Sequence, residues 1–408
     1  MTMKFTPAFR FLVLFGFALF AGSLHAGDAR WLSSWSTTVM PEPAEKHDLP
    51  LADATLRQVV HVSLGGDEVR IRFSNAFGRA PVSIRAGSVA LAGTQGALAG
   101  PAAKLTFGGR EFATVPVGAS LVSDPVKLAV PSQTNIAISI QLGGEIPPTL
   151  SYHGGSRTTS YLQPGNAVMA ETLPEAKRFV GWIFIAGVDV RRTDAEAATL
   201  IVMGDSISDG YGTTTDRNER WPDELLRRWN AEGNRAPLGI ANVSLGGNRL
   251  LRDGLGPNVL ARFERDVLTQ AGAKWLLVAA GINDIGTRLD ARKNGHDYAS
   301  ADDLIAAYRQ IIARAKAHGL RVYGATITPY TGADFYWSED GEADRQAVNA
   351  WIRESGEFDA VVDFDAAIRD PEKPERLAAE YDCGDHLHPS IAGYKRMAEA
   401  VDLALFAR

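Results

Sequence analysis

Ser206 stands in Gly204-Asp205-Ser206-Ile207-Ser208-Asp209-Gly210, directly after the apolar run Leu200–Met203. A serine hydroxyl is a poor nucleophile at neutral pH until a neutral imidazole can take its proton. One candidate for that imidazole is His388, in Asp385-His386-Leu387-His388-Pro389-Ser390. A proline and a helix start hold its backbone, and Asp385, three residues upstream, is placed to orient the ring. The paired glycines of Asn242-Val243-Ser244-Leu245-Gly246-Gly247-Asn248-Arg249 could present a bare backbone N–H to a bound oxygen. Asn283, in Gly281-Ile282-Asn283-Asp284, could add a side-chain amide. Taken singly, each segment has an ordinary reading: a Ser/Asp turn, a Gly-Gly turn, an Asn turn or helix cap. What they share is a place after a strand-like stretch.

Those stretches are Thr199–Met203, Gly239–Ser244, Trp275–Ala280, Arg321–Thr328 and Ala360–Phe364, short and apolar as strands buried on both faces are. Helical patterns lie between them. In Asp302–His318, Leu304, Ile305, Tyr308, Ile311, Ile312 and Ala315 recur at i, i+3, i+4 spacing. A second amphipathic stretch near the end contains Tyr394, Met397, Val401 and Leu405. Alternating strands and helices imply a mostly parallel sheet with both faces covered, and in such sheets ligands bind at the carboxyl ends of the strands. The four polar segments are then neighbours in space.

Ahead of them, from Trp31 to about Arg192, the hydrophobic period is two. Leu56–Leu64 and Glu68–Ala76 flank Gly65-Gly66-Asp67 and read as a hairpin; in Val69-Arg70-Ile71-Arg72-Phe73 apolar residues alternate with arginines. Further strands are expected over Val82–Leu91, Leu105–Thr114, Ser120–Leu128, Asn135–Leu142 and Trp182–Val190. Many short strands with regular turns and no helix point to an antiparallel β-sandwich of the jelly-roll kind. A polar connector, Arg191–Glu196, separates it from the α/β part, so the domains expected are 27–193 and 194–408. No internal repeat or low-complexity tract interrupts them.

Residues 1–26 read differently. Lys4 and Arg10 precede the apolar run Phe11–Gly22, and small residues lead to Ala26, the layout of a cleaved secretory signal peptide. At about 1.5 Å per residue the run falls well short of a hydrocarbon core of about 30 Å. No cysteine follows for lipidation, so a mature protein free in the periplasm or medium, without a stable membrane anchor, is expected. The 408 residues are 45% hydrophobic and 22% charged, enough for large cores and two domains. A net charge of −6 with no Lys/Arg stripe argues against a nucleic-acid partner. The single cysteine, Cys383, cannot form an internal disulfide and reads as a small, partly buried residue. Nothing in the sequence sets an oligomeric state.

The four blocks resemble those of the SGNH/GDSL hydrolases. The nucleophile block is similar to Gly204-Asp205-Ser206-Ile207-Ser208, the glycine block to Ser244-Leu245-Gly246-Gly247-Asn248, the Gly-x-Asn-Asp block to Gly281-Ile282-Asn283-Asp284, and the Asp-x-x-His block to Asp385-His386-Leu387-His388. Order and spacing match over about Thr199–Arg408, with Ile207 where the family name has Leu. The layout also resembles two-domain secreted esterases of that superfamily, some of which deacetylate polysaccharides.

The resemblance implies a flavodoxin-like three-layer α/β/α domain with a five-stranded, mostly parallel sheet behind the β-sandwich. It implies a Ser206, His388, Asp385 triad, with the oxyanion held by the backbone N–H groups of Ser206 and Gly247 and the Asn283 amide. Of the two adjacent glycines, Gly247 is favoured over Gly246. The implied function is a secreted carboxylic ester hydrolase acting on O-acetyl or other short acyl esters of small molecules or glycans, with no cofactor and no metal. A lysophospholipase or lipase of the same family is one alternative. Another is a metal-dependent phosphoesterase built from Asp205, Asn248, Asn283, Asp385, His386 and His388; no Asp-x-His follows the first strand to favour it. A third is a glycan-binding or acyl-transfer module, since an acyl-enzyme can be resolved by a sugar hydroxyl as well as by water. The loops Thr287–Ser300 and Pro329–Gly341 leave the same sheet edge. Tyr330, Phe335, Tyr336 and Trp337 in the second could stack on sugars, line an acyl pocket or pack against the β-domain. Trp31 and Trp35 share that ambiguity, with core packing favoured.

Overall fold

The structure is a computed structural model that describes residues 29–233 and 235–407. The signal-peptide reading of 1–26 lies outside the described residues. No helix among them is long and apolar enough to cross a membrane.

The second half of the chain is built on five parallel strands, Ala198–Gly204, Leu238–Asn242, Ala273–Ala279, Arg321–Ala325 and Ala360–Val362. The spatial order puts Leu238–Asn242 at one edge, then Ala198–Gly204, then the other three in sequence. That is the flavodoxin-like order, with the first strand beside the point where the winding reverses. All seven residues of Ala198–Gly204 are buried, which is why it reads as an unbroken apolar run. Two helix pairs cover the sheet: Trp221–Ala231 packs with Ile391–Ala400, and Ala301–Ala317 with Glu339–Glu354. The helix expected from Asp302 starts at Ala301, because Ser300 and Asp303 form a reciprocal cap (Ser300 N–H to Asp303 Oδ2, 2.9 Å; Asp303 N–H to Ser300 Oγ, 3.3 Å). It stops before Gly319, whose φ is +76°.

The first half is antiparallel and β-rich, in three sheets. One runs Arg30–Ser36, Ile185–Arg192, Gly66–Ser74, with Ser120–Val122 and Val126–Val130 on its far side. The largest runs Lys177–Val180, Thr159–Pro164, Ala54–Val62, Thr134–Leu142, Val82–Leu91 and then two short strands. A small sheet joins Trp182–Ile183, Thr149–His153 and Met40–Pro43. The expected hairpin around Gly65-Gly66-Asp67 does not form. Ala54–Val62 pairs with Thr134–Leu142 and Thr159–Pro164, while Gly66–Ser74 belongs to the other sheet and pairs with Ile185–Arg192. The chain arches from sheet to sheet at Gly65, where a Cβ would meet the Val130 carbonyl oxygen at 2.3 Å. Leu105–Thr114 is not one strand either. Phe107–Arg110 closes a turn whose Gly108 and Gly109 N–H groups donate to Asp124 (2.9 and 2.8 Å). Ser120–Leu128 is likewise broken, between Val122 and Val126.

Each half has its own apolar core. What joins them is largely polar and buried. The edge strand Arg30–Ser36 runs beside Leu238–Asn242, close enough that a Cβ on Gly239 would meet the Ser33 carbonyl oxygen at 2.5 Å. Ser33 N–H donates to Ala271 O (2.9 Å), Thr199 Oγ1 to Ser33 O (3.0 Å), Ser36 Oγ to Gln270 Oε1 (2.7 Å) and Arg262 Nη1 to Thr38 Oγ1 (2.8 Å). Buried hydrogen-bonded groups are costly to separate, because each would need a new partner. Trp35 lies inside this arrangement, its ring edge-on to Trp182 at 4.8 Å, so it packs in the core as favoured.

Candidate active site

The strand Ala198–Gly204 delivers Ser206 at its carboxyl end. Gly204 leaves no room for a side chain, since a Cβ would meet Ser208 Oγ at 2.6 Å and the Ala279 carbonyl oxygen at 2.7 Å. Asp205 then caps the short helix Ser206–Asp209, its carboxylate accepting the Ile207 N–H at 3.0 Å. His388 is brought to the same place by the loop before the helix Ile391–Ala400. Its Nε2 is 2.8 Å from Ser206 Oγ and its Nδ1 2.7 Å from Asp385 Oδ2. The other carboxylate oxygen of Asp385 accepts the N–H groups of Leu387 (3.0 Å) and His388 (2.8 Å), fixing the carboxylate to the loop that carries the ring. With Nδ1–H donating to Asp385, the Nε2 lone pair faces the hydroxyl.

The electrostatics suit that arrangement. Burial holds His388 below its ordinary imidazole value, against the Asp385 carboxylate, which favours the charged ring; Arg157 adds to the lowering. Burial pushes Asp385 up, but the N–H groups and the ring of His388 outweigh it and leave the carboxylate below its usual range. One face of the His388 ring is covered by Tyr211, stacked at 4.0 Å between centroids.

The glycine block and Asn283 lie at the ends of the neighbouring strands. The Gly246 N–H is already committed to Asp209 Oδ2 (3.2 Å), which distinguishes it from Gly247, whose φ of +68° a side chain would strain. Asn283 is 3% exposed and doubly held: its Nδ2 donates to Asn248 O (2.9 Å), and its Oδ1 accepts the Tyr336 hydroxyl (2.7 Å). That pattern sets which end of the amide is nitrogen. Asp284 accepts the N–H groups of Leu250 and Leu251 (2.8 and 3.2 Å), tying the third strand end to the loop after the second. Burial raises Asp284 to about 6 and Asp205 to about 7, in each case against backbone N–H groups that favour the carboxylate.

The residues imagined as a hard-cation site are not gathered as one. His386, exposed and at φ +63°, turns away to Asp382 (Nδ1 to Oδ2, 2.5 Å). Asn248 is spent on Pro257 O (2.7 Å) and Arg262 Nε (2.9 Å). Asp382, Cys383 and Asp385 do cluster, but Asp385 is the partner of His388. Cys383 is exposed rather than partly buried, with its thiol raised to about 11 by desolvation and by Asp385. The aromatic loop divides its roles: Tyr330 is in the core, Tyr336 supports Asn283, and Phe335 is 62% exposed. Sequence reasoning gave no role to Tyr211, Asp209, His153 or Arg157. The last two come from the β-rich half, where no local pattern marks them.

Solved structures that resemble part of this chain include an acetyl xylan esterase of Geobacillus stearothermophilus, 22% identical, covering 50% of this chain and 92% of its own, TM-score 0.38. A putative lipolytic protein of the G-D-S-L family from Desulfitobacterium hafniense DCB-2 is 18% identical and covers 50% of this chain and 97% of its own, TM-score 0.37. No curated protein matches the chain. The model of the GDSL-like Lipase/Acylhydrolase family matches residues 200–401, which contain Ser206, Gly247, Asn283, Asp385 and His388. Residues 200–401 of the chain are therefore a domain of the GDSL-like lipase/acylhydrolase family.

Proposed function

We propose that the protein is a serine carboxylic ester hydrolase that removes short acyl groups, O-acetyl among them, from small-molecule or sugar alcohols. We propose further that it is made with a cleaved leader and works in the periplasm or medium, a reading supported by Lys4, Arg10, the apolar run Phe11–Gly22 and Ala26. The observation that carries the catalytic reading is the hydrogen-bonded chain Ser206 Oγ, His388 Nε2, His388 Nδ1, Asp385 Oδ2, with links of 2.8 and 2.7 Å.

In this reading Ser206 Oγ attacks the carbonyl carbon while His388 takes its proton. The alcohol then leaves with that proton, and the acyl group stays on Ser206. Water attacks the acyl-enzyme, giving a proton to the same ring, and Ser206 recovers it as the acid departs. Asp385 holds the tautomer and stabilises the imidazolium. The negative oxygen of each tetrahedral intermediate is held by the Ser206 and Gly247 N–H groups and the Asn283 amide. Two features support those assignments: Gly246 has its N–H engaged, and Tyr336 orients the amide.

The test is to treat the full-length protein with a serine-directed phosphonate and to assay acetate and decanoate esters with and without EDTA. The expected results are a single adduct mapped to Ser206, loss of hydrolysis with it, preference for acetate, and indifference to EDTA. Activity that EDTA abolishes and a divalent cation restores, with no adduct on Ser206, would replace this reading by the metal-dependent one.

A further inference from the structure

Arg157 belongs to the β-rich half, in the segment between the strands Thr149–His153 and Thr159–Pro164. That segment is pinned to the catalytic half on both sides of it. Gly155 lies against Asp209, where a Cβ would meet Oδ2 at 2.0 Å, and the Ser156 carbonyl accepts from the Arg220 guanidinium. The Arg157 carbonyl accepts the Asp216 N–H (2.9 Å), and Thr159 binds the Asp216 carboxylate through its N–H and hydroxyl (both 2.7 Å). Arg157 itself is held at φ +48°, a backbone conformation that side chains rarely adopt and that persists only where the surroundings enforce it.

The side chain so placed lies over Tyr211, guanidinium carbon to ring centroid 5.1 Å, and Tyr211 is the ring stacked on His388. The order is therefore arginine, tyrosine, catalytic histidine. Unlike Arg220, which donates to Ser156 O and Asp209 O, Arg157 has a buried Nε with no hydrogen-bond partner and no ion pair among the described residues. A half-buried guanidinium with unused N–H groups is chemically suited to one class of ligand, a planar oxyanion that can take two parallel hydrogen bonds. Its place identifies the part of the substrate concerned. In the hydrolase reading the acyl oxygen lies toward Gly247 and Asn283 and the alcohol departs beside His388, which protonates it; Tyr211 stacks on that ring and Arg157 lies over Tyr211, which makes the alcohol the part of the substrate we assign to them. The lowering of His388 by Arg157 is consistent with their nearness.

We propose that Arg157 determines specificity by binding a carboxylate on the alcohol portion of the ester, so that the preferred substrates are acyl esters of acidic alcohols such as sugar acids. The inference rests on the hydrolase reading above for which side is which. It also gives the β-rich half a part in the active site.

The experiment compares 3- and 4-acetoxybenzoate with their methyl esters, which share the acyl group and differ in the charge of the phenol. Wild-type protein should favour a carboxylate form. Arg157→Gln should lower the ratio of kcat/KM for carboxylate over methyl ester by about tenfold or more, the usual consequence of losing a charge-assisted hydrogen bond. Arg157→Lys should restore part of it. In a second arm, calorimetric titration of the full-length protein with 3- and 4-hydroxybenzoate should show binding that Arg157→Gln weakens, with an unchanged Tm confirming the fold. A selectivity ratio and a benzoate affinity that Arg157→Gln leaves alone would overturn the proposal. Should the wild type hydrolyse none of the esters, the hydrolase reading fails, and the titration alone decides whether Arg157 holds a carboxylate.

Discussion

His153 and Asp209 face one another across the junction of the two halves, Nε2 to Oδ1 at 3.0 Å, and both are buried. The Nδ1 of His153 meets the Thr38 carbonyl oxygen at 2.8 Å, which can only accept, so that nitrogen carries a proton. The other oxygen of Asp209 accepts the Gly246 N–H. A histidine of the β-rich half thus supports, through Asp209, the loop whose next residue is Gly247.

His153→Ala should therefore lower kcat with little change in KM, by roughly tenfold, short of the roughly 10²–10³ expected when an oxyanion donor is lost outright. It should also lower Tm, because a buried carboxylate left without its partner costs about 1–3 kcal/mol or more. A shift confined to KM would mean that the loop does not depend on this pair. By the same logic, the second half expressed from Asp194 onward should be poorly soluble and weakly active.

The two histidines of the Asp385–His388 loop should separate cleanly. Ser206→Ala and His388→Ala should each leave only residual turnover, whereas His386→Ala, whose ring is exposed on Asp382, should fold and stay active. His388 must be neutral to accept a proton, and its folded value lies below the ordinary 6.5. Wild-type kcat/KM should accordingly hold steady through neutral pH and fall only as pH drops below that value. An acid limb centred above 6.5, or an inactive His386→Ala, would contradict the site.

Asn283→Ala should reduce kcat by about 10²–10³ at nearly constant KM, since its amide binds charge that exists only in the transition state. Tyr336→Phe removes the hydroxyl that fixes the amide but not the amide itself. Its effect should have the same sign and be smaller, about tenfold or less. Equal losses for the two variants would show that Tyr336 contributes more than orientation.

Asp205 offers a test that needs no substrate. Burial raises its folded value to about 7, from an ordinary 3.8. Between those values the unfolded chain gives up a proton that the folded protein keeps, so rising pH favours unfolding. The contribution is fully present below 3.8 and is lost as pH passes through about 7. Asp205→Asn keeps an oxygen for the Ile207 N–H and has no such dependence. The difference in Tm, Asn variant minus wild type, should grow from about pH 4 to about pH 7 and then level off; a difference independent of pH would place the Asp205 proton elsewhere.

Much of the second half was legible because its patterns are local. Strands buried on both faces show as apolar runs, and the expected five are the five observed, their ends moved by at most a few residues. Their polar sequels, Ser206, Gly247, Asn283 and the Asp385–His388 pair, could be read as neighbours because a parallel sheet puts all its carboxyl ends at one edge. In the β-rich half the period of two told which residues face inward, as at Val69, Ile71 and Phe73, but alternation carries no information about which strand is the partner. That is why Ala54–Val62 and Gly66–Ser74 read as a hairpin and lie in different sheets. Tertiary structure alone decided the rest. The Gly246 N–H is taken because Asp209 reaches it from the segment after another strand, and Asn283 is oriented by Tyr336 from 53 residues away. His153 and the segment that carries Arg157 meet the second half because buried polar groups at the junction find partners across it, His153 with Asp209 and the Ser156 carbonyl with Arg220, a requirement set by packing between distant segments and absent from any stretch of the chain by itself.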